Sequence, residues 1–159
     1  MSYAGNDEVR GVLIQAGSER VLLPNATIAE MLARVTVEPI EGAPAWLVGR
    51  IAWHGWDVPL LSYARFIGLE GEPVVNNKVV VLKALGGDPK MPYFALLTQN
   101  FPQLVVVPRD GLLADASEDP VPLGMHMRVL LGEERATLPD LDALENALAG
   151  ALAAMTTAA

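Results

Sequence analysis

Hydrophobic residues in this chain come in short runs, each closed by Gly, Pro, Asn or Asp, a rhythm that predicts strands separated by tight turns. VRGVLIQA, Val9 to Ala16, turns at Gly17–Glu19 into RVLLP, which ends at Pro24, and the pair predicts a hairpin. AWLVGRIAW and WDVPLLS meet at His54-Gly55 and predict a second hairpin. Pro59 lies inside its returning arm and cannot donate to a ladder, so an edge strand or a bulge is expected there. Alternation places Trp46, Val48, Arg50 and Ala52 on one face of the first arm and Leu47, Gly49, Ile51 and Trp53 on the other. Lys78 to Ala84 is a third strong strand, entered through Asn76-Asn77 and left through Gly86-Gly87. Tyr93–Thr98 and Gln103–Val107 follow, with Asn100 and Pro102 between them. Met127–Leu131 and Glu134–Leu138 form a last hairpin about Gly132.

Helical signals are fewer. Ala26 to Arg34 predicts one short helix, with Thr27 and Glu30 at capping-box spacing. Tyr63 to Leu69 predicts a helical turn closed by Gly68. Near the end, Pro139, Asp140 and Asp142 suit the first turn of a helix. Leu141, Leu144, Leu148, Leu152 and Met155 then form an apolar stripe expected to pack on its own domain. Asp110 to Pro122 is acidic, carries Pro and predicts a surface loop. The sum is a mainly β domain over residues 9–155 with a short internal helix and a C-terminal helix, preceded by a flexible N-terminus at residues 1–8. Many short strands with regular turns point to barrels or a sandwich.

Composition narrows the chemistry. At 159 residues the chain is about one domain long and can bury a core without staples. It has no cysteine, which excludes disulfides, thiolate catalysis and Cys-based zinc sites. A net charge of −8 with only 11 scattered basic residues argues against nucleic acid, since phosphate binding needs clustered Lys and Arg. No apolar run reaches the roughly 18 residues of a membrane span, and the opening MSYAGNDEVRG lacks the layout of a signal peptide. A cytoplasmic protein that is not membrane-inserted is therefore expected.

Catalytic frames are scarce. His54 and His126 are the only imidazoles, and no HExxH-type spacing joins them to Asp57 in a metal site. Ser62 has no nucleophile elbow, and Gly86-Gly87 runs into Asp88-Pro89, a turn rather than a phosphate cradle. Asp110, Asp115, Glu118 and Asp119 lack calcium-loop spacing. No catalytic residue, metal or cofactor is assigned. The three tryptophans carry more information: all lie between Trp46 and Trp56, with His54 among them. Trp46 is expected in the core. Trp53 and Trp56, ending the two arms of a hairpin, have the composition of a binding hot spot around an exposed His54. A partner-docking surface, a β-barrel module for a peptide or small ligand, and an enzyme built on a His54–Asp57 pair are the readings compatible with this pattern.

Pro44-Ala45-Trp46, Gly49, Gly55, Val58-Pro59-Leu60-Leu61, Arg65 and Gly68-Leu69 together resemble, in order and spacing, the central motif of the CheW-like family of chemosensory coupling proteins. The opening strand pair and VVVLKA agree in kind. Three positions depart from the motif: Ala52 and His54 stand where the family has Asn and Arg, and Ser62 where it has Asp. Leu97-Thr98-Gln99-Asn100-Phe101 also replaces a Val-Asp-x-Val signature. YFALLTQ, Pro102 and LPDLDALE look most like the ChpC-type members of type IV pilus, or twitching-motility, systems. The resemblance implies two SH3-like β-barrel subdomains sharing one core, and a non-enzymatic scaffold. That scaffold would bridge a methyl-accepting chemotaxis receptor and the regulatory domain of a CheA-type histidine kinase. The implied partner-binding residues are Arg50, Trp53, His54, Gly55, Trp56, Pro59 and Arg65.

Overall fold

The computed structural model describes residues 8–69, 78–86, 89, 91–99, 102–108, 112–114, 121–131 and 134–157. Among the described residues eleven strands follow in order: β1 (Glu8–Ala16), β2 (Glu19–Pro24), β3 (Ile28–Ala33), β4 (Leu47–Trp53), β5 (Trp56–Leu61), β6 (Lys78–Lys83), β7 (Tyr93–Thr98), β8 (Gln103–Pro108), β9 (Leu112–Ala114), β10 (Met125–Leu131) and β11 (Glu134–Pro139). Helix α1 (Tyr63–Phe66) follows β5, and α2 (Leu141–Thr157) follows β11. The strands form two sheets, ordered β8-β1-β2-β11-β10-β9 and β3-β6-β7-β5-β4. Residues 1–7, Asn76-Asn77, Gly87, Asn100, Gly132, most of the acidic Asp110–Pro122 segment and the Met155 side chain lie outside the described residues.

The apolar runs are continuous because several strands are buried on both faces. In β6, Val80 and Leu82 enter a core shared by the two sheets, whereas Val79 and Val81 face the interior of the second sheet. Phe94 and Leu96 of β7 divide from Ala95 and Leu97 in the same way. In β1, Val12, Ile14 and Ala16 join the shared core and Leu13 packs with Leu22, Val129 and Ala136 inside the first sheet. Leu144 and Leu148 of α2 complete the shared core, both fully buried. Each such side chain contributes about 1.5–3 kcal/mol. The helical stripe therefore packs on its own domain, as expected.

A single close approach ties the segment after β3 to β4, at the other edge of the second sheet. Its outermost strands are β3 and β4. The chain leaving β3 returns so that Glu38 pairs with Arg50 of β4, each N–H donating to the other's carbonyl at 2.9 Å. Gly49 makes this possible, because a Cβ there would overlap the Glu38 carbonyl and reach within 2.8 Å of Val37 Cγ1.

Several expectations change. Ala26 to Arg34 is not a helix: Asn25–Thr27 makes one 3-10 turn and β3 follows. The Thr27 hydroxyl donates to the Pro24 carbonyl at 2.7 Å instead of capping toward Glu30. The β6 ladder satisfies the β3 backbone and packs Ala29 and Leu32 against the barrel interior, which outweighs a local capping preference. Pro59 is not on an edge strand, since β5 lies between β7 and β4. It is tolerated because pairing of β5 with β7 runs over Leu60 and Leu61, just past the residue that lacks an N–H. The bulge falls in β4, between Leu47 and Gly49. It breaks the simple alternation, so Leu47 enters the shared core while Val48, Ile51 and Trp53 pack in the second barrel. Pro139 ends β11 rather than opening α2, and Asp140 accepts from the Ala143 N–H at 3.1 Å as the cap. Within the expected acidic loop, Leu112–Ala114 forms β9 against β10.

Tyr63, fully buried, ties the barrels to α2. Its hydroxyl donates to the Gly124 carbonyl at 2.9 Å, and the same carbonyl accepts the Asp140 N–H at 2.8 Å. Burial, reinforced by the carboxylates of Glu19 and Asp140, holds the phenol well above its ordinary ionisation range. A raised folded-state pKa leaves its contribution intact below the unfolded value near 10 and removes it progressively as pH rises above that.

Two variants test the close approach at Gly49 and a third tests the phenol. Gly49→Ala should lower stability by about 1–3 kcal/mol. Gly150→Ala, in open space on α2, should raise it by about 0.5–1 kcal/mol. Urea unfolding measures both, and equal effects would contradict that approach. Tyr63→Phe should cost about 0.5–1.5 kcal/mol at neutral pH and melt with a shallower alkaline decline above about pH 10 than the parent.

Candidate partner-binding hairpin

The β4–β5 hairpin closes through His54 and Gly55, whose φ values are +47° and +81°. Two successive positive φ angles make the primed turn that matches strand twist, with Gly55 at the position that most needs it. Trp53 and Trp56 are thereby direct cross-strand partners. Tyr93, the first residue of β7, meets both indoles edge-on, at 4.8 Å from Trp53 and 6.3 Å from Trp56. The His54 ring stacks edge-on to Trp53 at 4.6 Å.

Glu30 fastens this tip to the far side of the barrel. Its Oε2 accepts the Trp53 indole N–H at 2.9 Å, and its Oε1 lies 3.8 Å from His54 Nε2, an ion pair when the imidazole is protonated. The indole of Trp53 is half-buried, whereas Trp56 is 42% exposed and the His54 side chain 67%. A large aromatic surface and an imidazole therefore face solvent together. A shallow groove of about 50 Å³ lies between Trp56, Pro59, Tyr93 and Leu152 of α2, too small to enclose a ligand.

The structure gathers Trp53, His54, Gly55 and Trp56 at the tip and leaves the other three sequence-predicted residues at its root. Arg50 pairs with Pro59 across the ladder, is half-buried, and its Nε has no hydrogen-bond partner among the described residues. Pro59 is buried. Arg65 lies on α1 and donates to the Ala45 carbonyl at 3.3 Å, bracing the approach to β4. Trp46 also belongs to this base, packed on the shared core with Phe66 edge-on at 5.1 Å. Sequence reasoning missed Glu30 and Tyr93. Glu30 stands at capping-box spacing from Thr27, and its place on β3 is set by the β6 ladder rather than by any local alternation. Asp57, offered as a partner for His54, is exposed, and the carboxylate that meets His54 is Glu30. His126 sits on β10 in the other sheet. Among the described residues no group of three His, Cys, Asp or Glu side chains could hold a metal ion, and no helix is long and apolar enough to cross a membrane.

Two sheets joined through one core, with an aromatic hairpin exposed and fixed from below, define a β scaffold built around a presented surface. The CheW-like domain model matches residues 10–147, and the chain belongs to that family. Members of this family are non-enzymatic scaffold proteins of chemotaxis. The fold is similar to the crystal structure of the scaffolding protein TtCheW from Thermoanaerobacter tengcongensis, with a TM-score of 0.68 over 83% of this chain and 88% of that one, at 11% identity. No curated protein matches the chain. The expected fold, mainly β with two SH3-like units sharing a core, is the one observed.

The hairpin geometry predicts separable effects. Glu30→Ala should cost about 1 kcal/mol and shift tryptophan emission as the Trp53 indole loses its acceptor, while Glu30→Gln should preserve both. Trp56→Ala should change stability by no more than about 0.5 kcal/mol, because much of that ring is already in water. Thermal melts and fluorescence measure all three.

Proposed function

We propose that this chain is a chemosensory coupling scaffold that bridges a methyl-accepting receptor and the regulatory domain of a CheA-type histidine kinase in the cytoplasm. Family membership supports the role of scaffold. The observation that carries the docking site is the exposed Trp56 at the hairpin tip, beside the exposed His54 and the outer edges of Trp53 and Tyr93, whose inner faces pack on the core. Arg50, Trp53, His54, Gly55, Trp56, Pro59 and Arg65 are its partner-binding set. The tip makes the contact, and Arg50, Pro59 and Arg65 hold the strands and α1 that present it. Resemblance of the YFALLTQ and LPDLDALE segments to ChpC-type members supports a place in a twitching-motility system.

No covalent step is required. Such a module works through a difference in affinity for two states of an assembly, and it transmits only the free energy that this difference supplies. His54 stands where the family motif has Arg, so the planar five-donor fork of a guanidinium is replaced by a smaller imidazole.

Calorimetric titration against the regulatory domain of a CheA-type kinase encoded beside this protein tests the reading. Saturable binding that falls at least about tenfold in Trp56→Ala, a loss of roughly 1.4 kcal/mol, is expected. His54→Arg should bind more tightly. Absence of binding in the parent and in His54→Arg alike would leave only a shared fold.

A further inference from the structure

The outermost strands of the two sheets are β8 and β9 in the first and β3 and β4 in the second. A bare strand edge invites pairing with another chain unless something blunts it. Three of these edges are blunted. Strand β9 has only three residues, β4 already receives Glu38 at Arg50, and β3 carries the Glu30 carboxylate. The fourth is β8, whose sequence QLVVVP holds no charge in a chain of net charge −8. Among the described residues no strand pairs with the side of β8 that faces away from β1.

The two faces of β8 differ. Val105 lies opposite Gly11 and packs inside the first sheet against the cluster of Leu13 and Leu22. Leu104 and Val106 point to the other face, opposite the fully buried Val12 and the exposed Arg10. The shared core covers Val12 there but stops one strand short of β8. Leu104 and Val106 are therefore 62% and 51% exposed. Aliphatic side chains left in water forgo part of the roughly 1.5–3 kcal/mol that full burial supplies.

We infer that β8 is a self-association edge, where two copies of this chain pair antiparallel about a two-fold axis through Val105. That register sets Leu104 against the partner's Val106 and Gln103 against the partner's Val107, so every pair is uncharged. It spans residues 103–107 and leaves Pro108, which has no N–H, outside the ladder. Aliphatic cross-strand pairs of this kind stabilise a sheet, and a two-fold contact closes at two copies. The two Arg10 residues then lie three strand spacings apart, about 14 Å, beyond the screening length of about 8 Å at physiological salt. A charged peptide would find no counter-charge on this strand, so a second copy fits it better. Five paired residues a side fall well short of the roughly 20–30 of a standard interface. The pairing is accordingly weak and concentration-dependent. It uses neither Trp56 nor His54, so it stands or falls independently of the coupling role.

Sedimentation velocity of the whole chain, from micromolar to near-millimolar concentration, tests it. A reversible monomer–dimer equilibrium is expected, strengthened by salt, which screens the repulsion between two chains of charge −8. Leu104→Lys and Val106→Glu should each weaken dimerisation at least about tenfold. Both should melt within a few degrees of the parent, because the side chains replaced are more than half exposed. Mixed together, the two variants should pair again, since the antiparallel register sets the two new charges against each other. Amide exchange in the unaltered chain should slow along β8 only at high concentration, a readout that needs no variant. A chain that stays monomeric, a dimer that survives Leu104→Lys, or one lost instead in Trp56→Ala would overturn the edge. Association that weakens with salt would overturn it equally, in favour of a charge-driven contact.

Discussion

The contact on which the second barrel depends is the seating of the Glu38 backbone against Gly49. Two hydrogen bonds between Glu38 and Arg50 tie the segment after β3 to β4, and they form only where β4 has no side chain to interpose. One face of β3, β5, β6 and β7 turns inward, and Val58, Leu60, Val79, Val81, Ala95 and Leu97 meet there. The tie also accompanies an approach of β3 to the β4–β5 hairpin close enough for Glu30 to reach Trp53 and His54. The presented surface is thus held by the same side of the sheet that carries this contact.

Much of the fold was legible in the chain because strands buried on two faces leave unbroken apolar runs between turn formers. Both hairpins on either side of the shared core, and the stripe of α2, follow from spacing alone. Legibility failed where a long-range partner decided the local conformation. The 28–33 segment carries helical signals and becomes β3 because β6 offers it a ladder. The β4 bulge, which sends Leu47 and Ile51 to different cores, leaves no mark in the alternation of side chains.

The candidate site divides along the same line. Its aromatic members stood out because all three tryptophans are gathered in one stretch, and His54-Gly55 announced the turn that sets two of them face to face. What holds them was invisible, since Glu30 and Tyr93 arrive from strands distant in sequence. Arg50, Pro59 and Arg65 belong to the motif by position, yet their places in the structure are those of supports for the hairpin rather than of its tip.

The burial of Leu144 and Leu148 beside Val12 and Ile14 also orders events in time. Translation releases β1 well before α2, and the apolar face that β1 turns toward the shared core must wait for that helix. Contacts so widely separated slow folding and lengthen exposure of unfinished apolar surface. A chain truncated within α2 would emerge with that surface uncovered. The unfinished apolar face is therefore most exposed during synthesis before α2 leaves the ribosome.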